Sequence, residues 1–300
     1  MRSAREPDQK KPARAGARRR ALPGGDRPSA LPHGTLMRSA RKARAGVGAL
    51  LFAAAGIGLG AVFGAADAAP EAGLAEGPKA EVFDLYFGGF PIGDVRLALE
   101  MDGDRYSAAA KGEASGLISA IVGGRFSATA SGAAPGGDPL APGASPALFE
   151  AEGSFADDSM ELSIAFDGGD VTDVTAVPPY KSRPWEAEAR AWQGAVDPLT
   201  AIALMLRERP GGALCDAAME IFDGRRVVRA QLGAPEKVAK TDEVKCSGVI
   251  ERKAGFKPKM MKKPPMEFRV YFGPRDGGLA LKRVMVPTDW GVATAVRRGS

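Results

Sequence analysis

The chain reads as a mainly β protein: an antiparallel, strongly curved sheet, half-barrel or barrel-like, with one packed α-helix near residues 198–209. Two observations predict this. Past residue 80 the text is a run of short apolar–polar alternations, each ended by Gly, Asp or Pro, which is the period of half-buried strands. A single stretch breaks that pattern with helical spacing and a helix-start signature. Many short strands joined by tight turns favour a twisted sheet that curls on itself.

The elements follow in order. Val82–Phe87 and Ile92–Met101 are strand candidates, the second with Val95, Leu97 and Leu99 on one face. Asp102-Gly103-Asp104 turns the chain into a strand over Arg105–Lys111. Gly116–Val122 is apolar and fits either a helical turn or a covering loop; Arg125–Ala130 is a strand. Residues 132–146 mix Gly, Pro and Ala and predict a surface loop. Leu148–Phe155, Met160–Phe166 and Val171–Val177 continue the series, the last stopped by Pro178-Pro179. Tyr180, Trp185 and Trp192 sit in a charged, Pro-containing connection, where they cap a core or line a pocket.

Asp197 is placed to cap the helix and Pro198 to occupy its first position. Leu199, Ile202, Ala203 and Leu206 form the predicted apolar face, and Pro210-Gly211-Gly212 ends the helix. Ala217–Phe222 and Arg225–Leu232 then flank Asp223-Gly224, a two-residue hairpin signal. Val244–Glu251, Glu267–Phe272, Leu279–Pro287 and Trp290–Arg297 complete the strands. Lys253–Pro265 is a loop that carries Lys257, Lys259, Lys262 and Lys263 around Met260 and Met261.

Ahead of the β-rich part lies an export signal. Arg38, Arg41, Lys42 and Arg44 precede an apolar run of about 18 residues, Val47–Gly64, followed by the small-x-small site Ala66-Asp67-Ala68. The expected organisation is a disordered basic extension over 1–36, a signal peptide over 37–68 cut after Ala68, a linker over 69–79 and one domain over 80–298. Met37 reads as the natural start; a basic cytoplasmic tail is the alternative for residues 1–36. An uncleaved inner-membrane anchor through residues 45–64 is the alternative to cleavage. The expected location is periplasmic.

Charge narrows the function classes. Past residue 69 the chain holds 28 Lys and Arg against 32 Asp and Glu. The basic pI therefore belongs to the leader, and nucleic acid is not an expected partner. The remainder is uneven: residues 70–210 carry 10 basic and 22 acidic residues, residues 211–300 carry 18 and 10. That asymmetry fits two attracting faces of one domain, or a basic surface meeting anionic lipid or an envelope polymer.

The only histidine, His33, lies in the leader, which removes His-based triads and metal sites from the exported part. No cofactor and no metal is expected. The two cysteines, Cys215 and Cys246, read as one disulfide in an oxidising compartment. Two buried free thiols or a metal half-site are the alternatives.

Tyr86–Gly93, Asp197-Pro198-Leu199-Thr200-Ala201, Phe222-Asp223-Gly224-Arg225-Arg226 and Val286-Pro287…Gly291 occur in this order, with Cys215 and Cys246 on either side of the third motif. In this the chain resembles domain of unknown function 3108, a family of exported bacterial proteins, over about residues 80–298. The resemblance implies a periplasmic β-rich protein and no assigned activity or catalytic residue. Asp197, Pro198, Asp223 and Gly224 are read as structural motif residues. Arg225 and Arg226, adjacent on an expected strand, point to opposite faces, so one aims inward at a carboxylate or an anionic ligand.

The candidate ligand set is therefore Arg225, Arg226, Lys257, Lys259, Lys262 and Lys263. The expected function is a non-enzymatic envelope module that binds a lipidic or polymeric ligand. A scaffold docking on another envelope protein is the alternative, and a carboxylate-only hydrolase is the less favoured third. The interior of the curved sheet separates the first two: a continuous apolar cavity means a carrier, a filled core a scaffold.

Overall fold

The computed structural model describes residues 80–116, 124–137, 144–155, 158–188, 192–207, 214–275 and 278–299. The segments expected to be a basic extension, an export signal with its site at Ala66 and Ala68, and a linker lie outside the described residues, as does most of the 116–122 segment. Among the described residues, thirteen strands form one antiparallel sheet in the order β7-β6-β5-β4-β3-β2-β1-β13-β12-β11-β10-β9-β8. The first seven are β1 Glu81–Phe87, β2 Phe90–Asp102, β3 Arg105–Ala114, β4 Gly124–Ala133, β5 Ser145–Phe155, β6 Asp158–Asp167 and β7 Asp170–Val177. After the helix α1, Pro198–Leu206, come β8 Ala218–Phe222, β9 Val227–Lys237, β10 Val244–Ala254, β11 Met266–Arg275, β12 Gly278–Thr288 and β13 Gly291–Arg297. A one-turn helix α2, Pro258–Met261, sits in the segment read above as a loop.

Each half of the chain is a meander, and the halves join where β1 pairs with β13, Phe83 opposite Arg297 and Phe87 opposite Ala293. The acidic half of the sequence therefore makes one half of the sheet, and the basic half the other. Bulges at Leu85–Tyr86, Ala165–Phe166 and Tyr271–Phe272 bend the ladders, as a curling sheet requires.

The sheet does not close. Its edges β7 and β8 meet through the connection between them. Gly194 N–H donates to Gly169 O at 2.9 Å, at the β6–β7 turn. Val196 N–H donates to Glu220 O, and Val196 O accepts from Phe222 N–H, so this segment covers the free edge of β8. Both faces of the β8–β9 hairpin are covered. Ile221 and Val228 cluster with Ala201 of α1, while Phe222 and Val227 join the main core. A methyl group built on Gly224 would lie 3.0 Å from Leu162 and 3.5 Å from Val174, so the hairpin tip rests against β6–β7. The result is a rolled sheet.

Its interior is packed. One buried cluster takes Phe83, Leu97, Phe149, Ile164, Phe222, Val270, Phe272 and Leu281 from strands all round the roll, with Leu199 and Ala203 of α1. Helix α1 touches β2, β3 and β4 on one side and β8 and β12 on the other. Cys215 and Cys246 form the disulfide, with a Cα–Cα distance of 5.6 Å, and tie the segment after α1 to β10.

The helix is shorter than the 198–209 expected and is buried more widely. Arg207 leaves helical geometry at ψ 135°, and burial covers Pro198, Leu199, Thr200, Ala201, Ala203 and Leu204 instead of a single stripe. A helix enclosed by a rolled sheet has no solvent face to leave polar.

Candidate interface at one end of the rolled sheet

Antiparallel pairing fixes which connections share an end. Phe87 of β1 lies opposite both Phe90 and Ala293, Thr288 opposite Gly291, Ile250 opposite Met266, and Phe222 opposite Val227. The β1–β2, β12–β13, β10–β11 and β8–β9 connections are thus neighbours along one rim. The chain leaving β7 at Val177 exits at that rim too, because Val177 pairs with Glu161 near the start of β6. All six candidate basic residues lie there.

The rim is built on the β8–β9 turn. Asp223 N–H donates to Arg226 O at 3.1 Å, so the two central residues are Gly224 and Arg225, with positive φ at Gly224 alone. This shifts by one residue the Asp223-Gly224 turn expected above. The reason is the Asp223 side chain: its Oδ1 accepts from Arg225 N–H at 3.0 Å and Arg226 N–H at 2.6 Å, which holds Asp223 as the corner. Burial raises the Asp223 pKa, opposed by the Arg226 charge and the two backbone donors. Gly255, at φ 82°, presses on the same turn; a Cβ there would meet Arg225 O at 2.2 Å. Only glycine permits that approach.

Arg225 and Arg226 are turn residues, so the two-face expectation for adjacent strand residues does not apply. The Arg225 guanidinium pairs with Glu186, donates to Lys181 O at 2.8 Å and stacks 4.4 Å over the Tyr180 ring. It is a clamp for the 178–188 segment. Burial beneath it raises the Tyr180 pKa, with the Asp223 charge acting in the same direction. Arg226 lies 5.5 Å over Phe256, with Arg252 on the same ring at 6.0 Å.

The four lysines behave differently. Lys257, Lys259, Lys262 and Lys263 are exposed around α2. Lys257 Nζ lies 5.9 Å from the Trp185 ring, and Lys263 Nζ 3.6 Å from Asp289 at the β12–β13 turn. That contact sets the lysine segment beside two residues sequence reasoning missed. Trp290 is 75% exposed on the β12–β13 turn and Phe90 is 74% exposed after the Gly88-Gly89 turn. Gly88 N–H donates to Val292 O at 3.0 Å, which makes their hairpins adjacent. The available signal was a large aromatic directly beside turn residues, in Gly88-Gly89-Phe90-Pro91 and Thr288-Asp289-Trp290-Gly291.

A groove of about 120 Å³ lies on the outer face of β4–β7 and includes Glu150, Glu152 and Glu161. Glu152 stands directly opposite Glu161 and accepts from Ser127 Oγ at 2.8 Å. Within the roll, the Asp197 carboxylate caps α1 by accepting from Leu199 N–H at 2.9 Å and Thr200 N–H at 2.8 Å. It also accepts from Thr200 Oγ1 at 2.5 Å, and Thr200 Oγ1 meets Tyr106 Oη at 2.7 Å. Burial pushes the Asp197 pKa up to about 6 despite these donors.

Fold and rim together define a rolled, barrel-like antiparallel β-sheet protein with a packed interior. No family model and no curated protein matches the chain. Among solved structures, it is similar to a beta-barrel-like protein of the domain of unknown function DUF1849 from Brucella abortus. The two are 10% identical, with a TM-score of 0.38, over 73% of this chain and 94% of that one.

Proposed function

We propose that this chain is an exported, non-enzymatic module of the bacterial envelope that works through its outer surface as a scaffold or adaptor. The observation that carries the reading is the packed interior. A ligand held inside the sheet would have to displace α1 and break the Tyr106–Thr200–Asp197 chain of hydrogen bonds. The Cys215–Cys246 bond supports an oxidising location, and the basic run before Val47 supports export. The motif order that resembles domain of unknown function 3108 is consistent with the same reading. The filled core around α1 argues against an interior lipid carrier, and a carboxylate-based hydrolase would rest on the facing Glu152 and Glu161 of the outer groove alone.

Cell fractionation with thiol trapping tests this. The expected result is periplasmic chain whose two sulfurs resist alkylation until reduced. Purified protein should carry no stoichiometric lipid in native mass spectra. Reduced chain in the cytosol, or a lipid bound one to one, overturns the reading.

A further inference from the structure

We infer that the rim formed by the β1–β2, β10–β11 and β12–β13 connections is a docking surface for an anionic lipid bilayer. This rests on the envelope reading only for access to a membrane. Three large apolar side chains stand out from neighbouring connections of one rim: Phe90, Trp290 and Met261, the last 42% exposed. Exposed aromatics of this size are not a random surface feature when they gather at one end. They sit on separate tips, Phe90 and Trp290 on hairpin turns and Met261 at the end of α2. Such tips enter the boundary between headgroups and acyl chains, where an indole is at home.

Charge complementarity names the lipid. The exposed lysines Lys257, Lys259, Lys262 and Lys263 flank these tips on flexible four-carbon stems. Lysine near a negative membrane surface is worth roughly a fivefold gain in binding per residue. The acidic groove of β4–β7 lies on a side wall, on the outer face of the sheet, and not among these tips.

Bromine-labelled vesicles test this in the full chain, because the leader contains no tryptophan and cannot imitate the signal. Phosphatidylcholine vesicles with and without phosphatidylglycerol, each carrying a brominated acyl chain, are compared at low and high salt. The expected result is quenching of tryptophan emission by the anionic vesicles only, relieved by salt and lost in Trp290→Phe. Phe90→Ser should weaken binding roughly tenfold, and reversing all four lysines to Glu at least about a hundredfold. These positions are exposed, so each variant should keep the wild-type circular dichroism spectrum, which is checked before the vesicle assay.

Anionic vesicles that float with the chain yet leave Trp290 unquenched would show binding by the leader and overturn the proposal. So would equal quenching by neutral vesicles, or no binding at all. Each of these three failures leaves the fractionation result untouched, so an exported scaffold without a membrane-facing rim stays distinguishable from a chain that is not exported.

Discussion

Asp197 carries the clearest consequence at the scale of single residues. A buried carboxyl whose pKa stands near 6 in the fold and near 4 when unfolded binds more protons folded than unfolded between those values. Stability is therefore fullest below about pH 4 on this account and declines as pH rises through 6, by roughly 3 kcal/mol in all. Asp197→Asn keeps the cap and removes the charge. Urea midpoints at pH 4.5 and pH 7.5 should converge in this variant, with the gain at the higher pH; an unchanged difference would place the titration elsewhere. Gly255→Ala puts a methyl group against Arg225 O at positive φ and should cost about 1–3 kcal/mol, read from the same midpoints. The helix-start residues Asp197 and Pro198 were legible because capping is local. The depth of Asp197 was not, because nothing within a few residues says that Tyr106, 94 positions from Thr200, will close over the cap.

Among the elements, α1 and its disulfide hold the roll from within. Cys215 follows the helix and Cys246 lies on β10, 31 residues apart in sequence. Replacing both with Ala should lower stability by about 3–4 kcal/mol in the chain-entropy model, with the midpoint of the wild type falling to the same place under reductant. A variant that matches oxidised wild type would mean the bond does not form in solution. The β8–β9 hairpin shows where a local rule reaches its limit. Asp-Gly correctly marked a tight turn, but the Asp223 side chain took the corner position and moved the turn by one residue. That step carried Arg225 out of the strand and onto Tyr180. The β10–β11 segment hid a one-turn helix, because Pro258 starts one while the surrounding lysines favour no particular structure.

For the whole molecule, the order of strands matters more than their number. β13 is last in sequence yet central in the sheet, bonded to β1 on one side and β12 on the other. Ending the chain at Thr288 should therefore split the sheet and abolish cooperative thermal unfolding. A truncated chain that still melts in one sharp transition would mean that the remaining strands fold as one unit without β13. The same topology brings Glu81 and the end of β13 together, where Arg298 N–H donates to Val82 O at 2.7 Å. It also gathers the lysines, Trp290 and Phe90 on one rim from connections far apart in sequence.

The sequence by itself determined the β-rich class, the turns, the capped helix and the pairing of its two cysteines, all set by period, by local side-chain hydrogen bonds or by a count of two. Only the tertiary structure decided that the sheet rolls with a helix inside, that Arg225 becomes a clamp, and that the basic loop meets two aromatic tips. Those outcomes depend on contacts between residues as far apart as Phe83 and Arg297. Alternation along a strand fixes which side chains share a face but carries no information about the strand that will lie beside it.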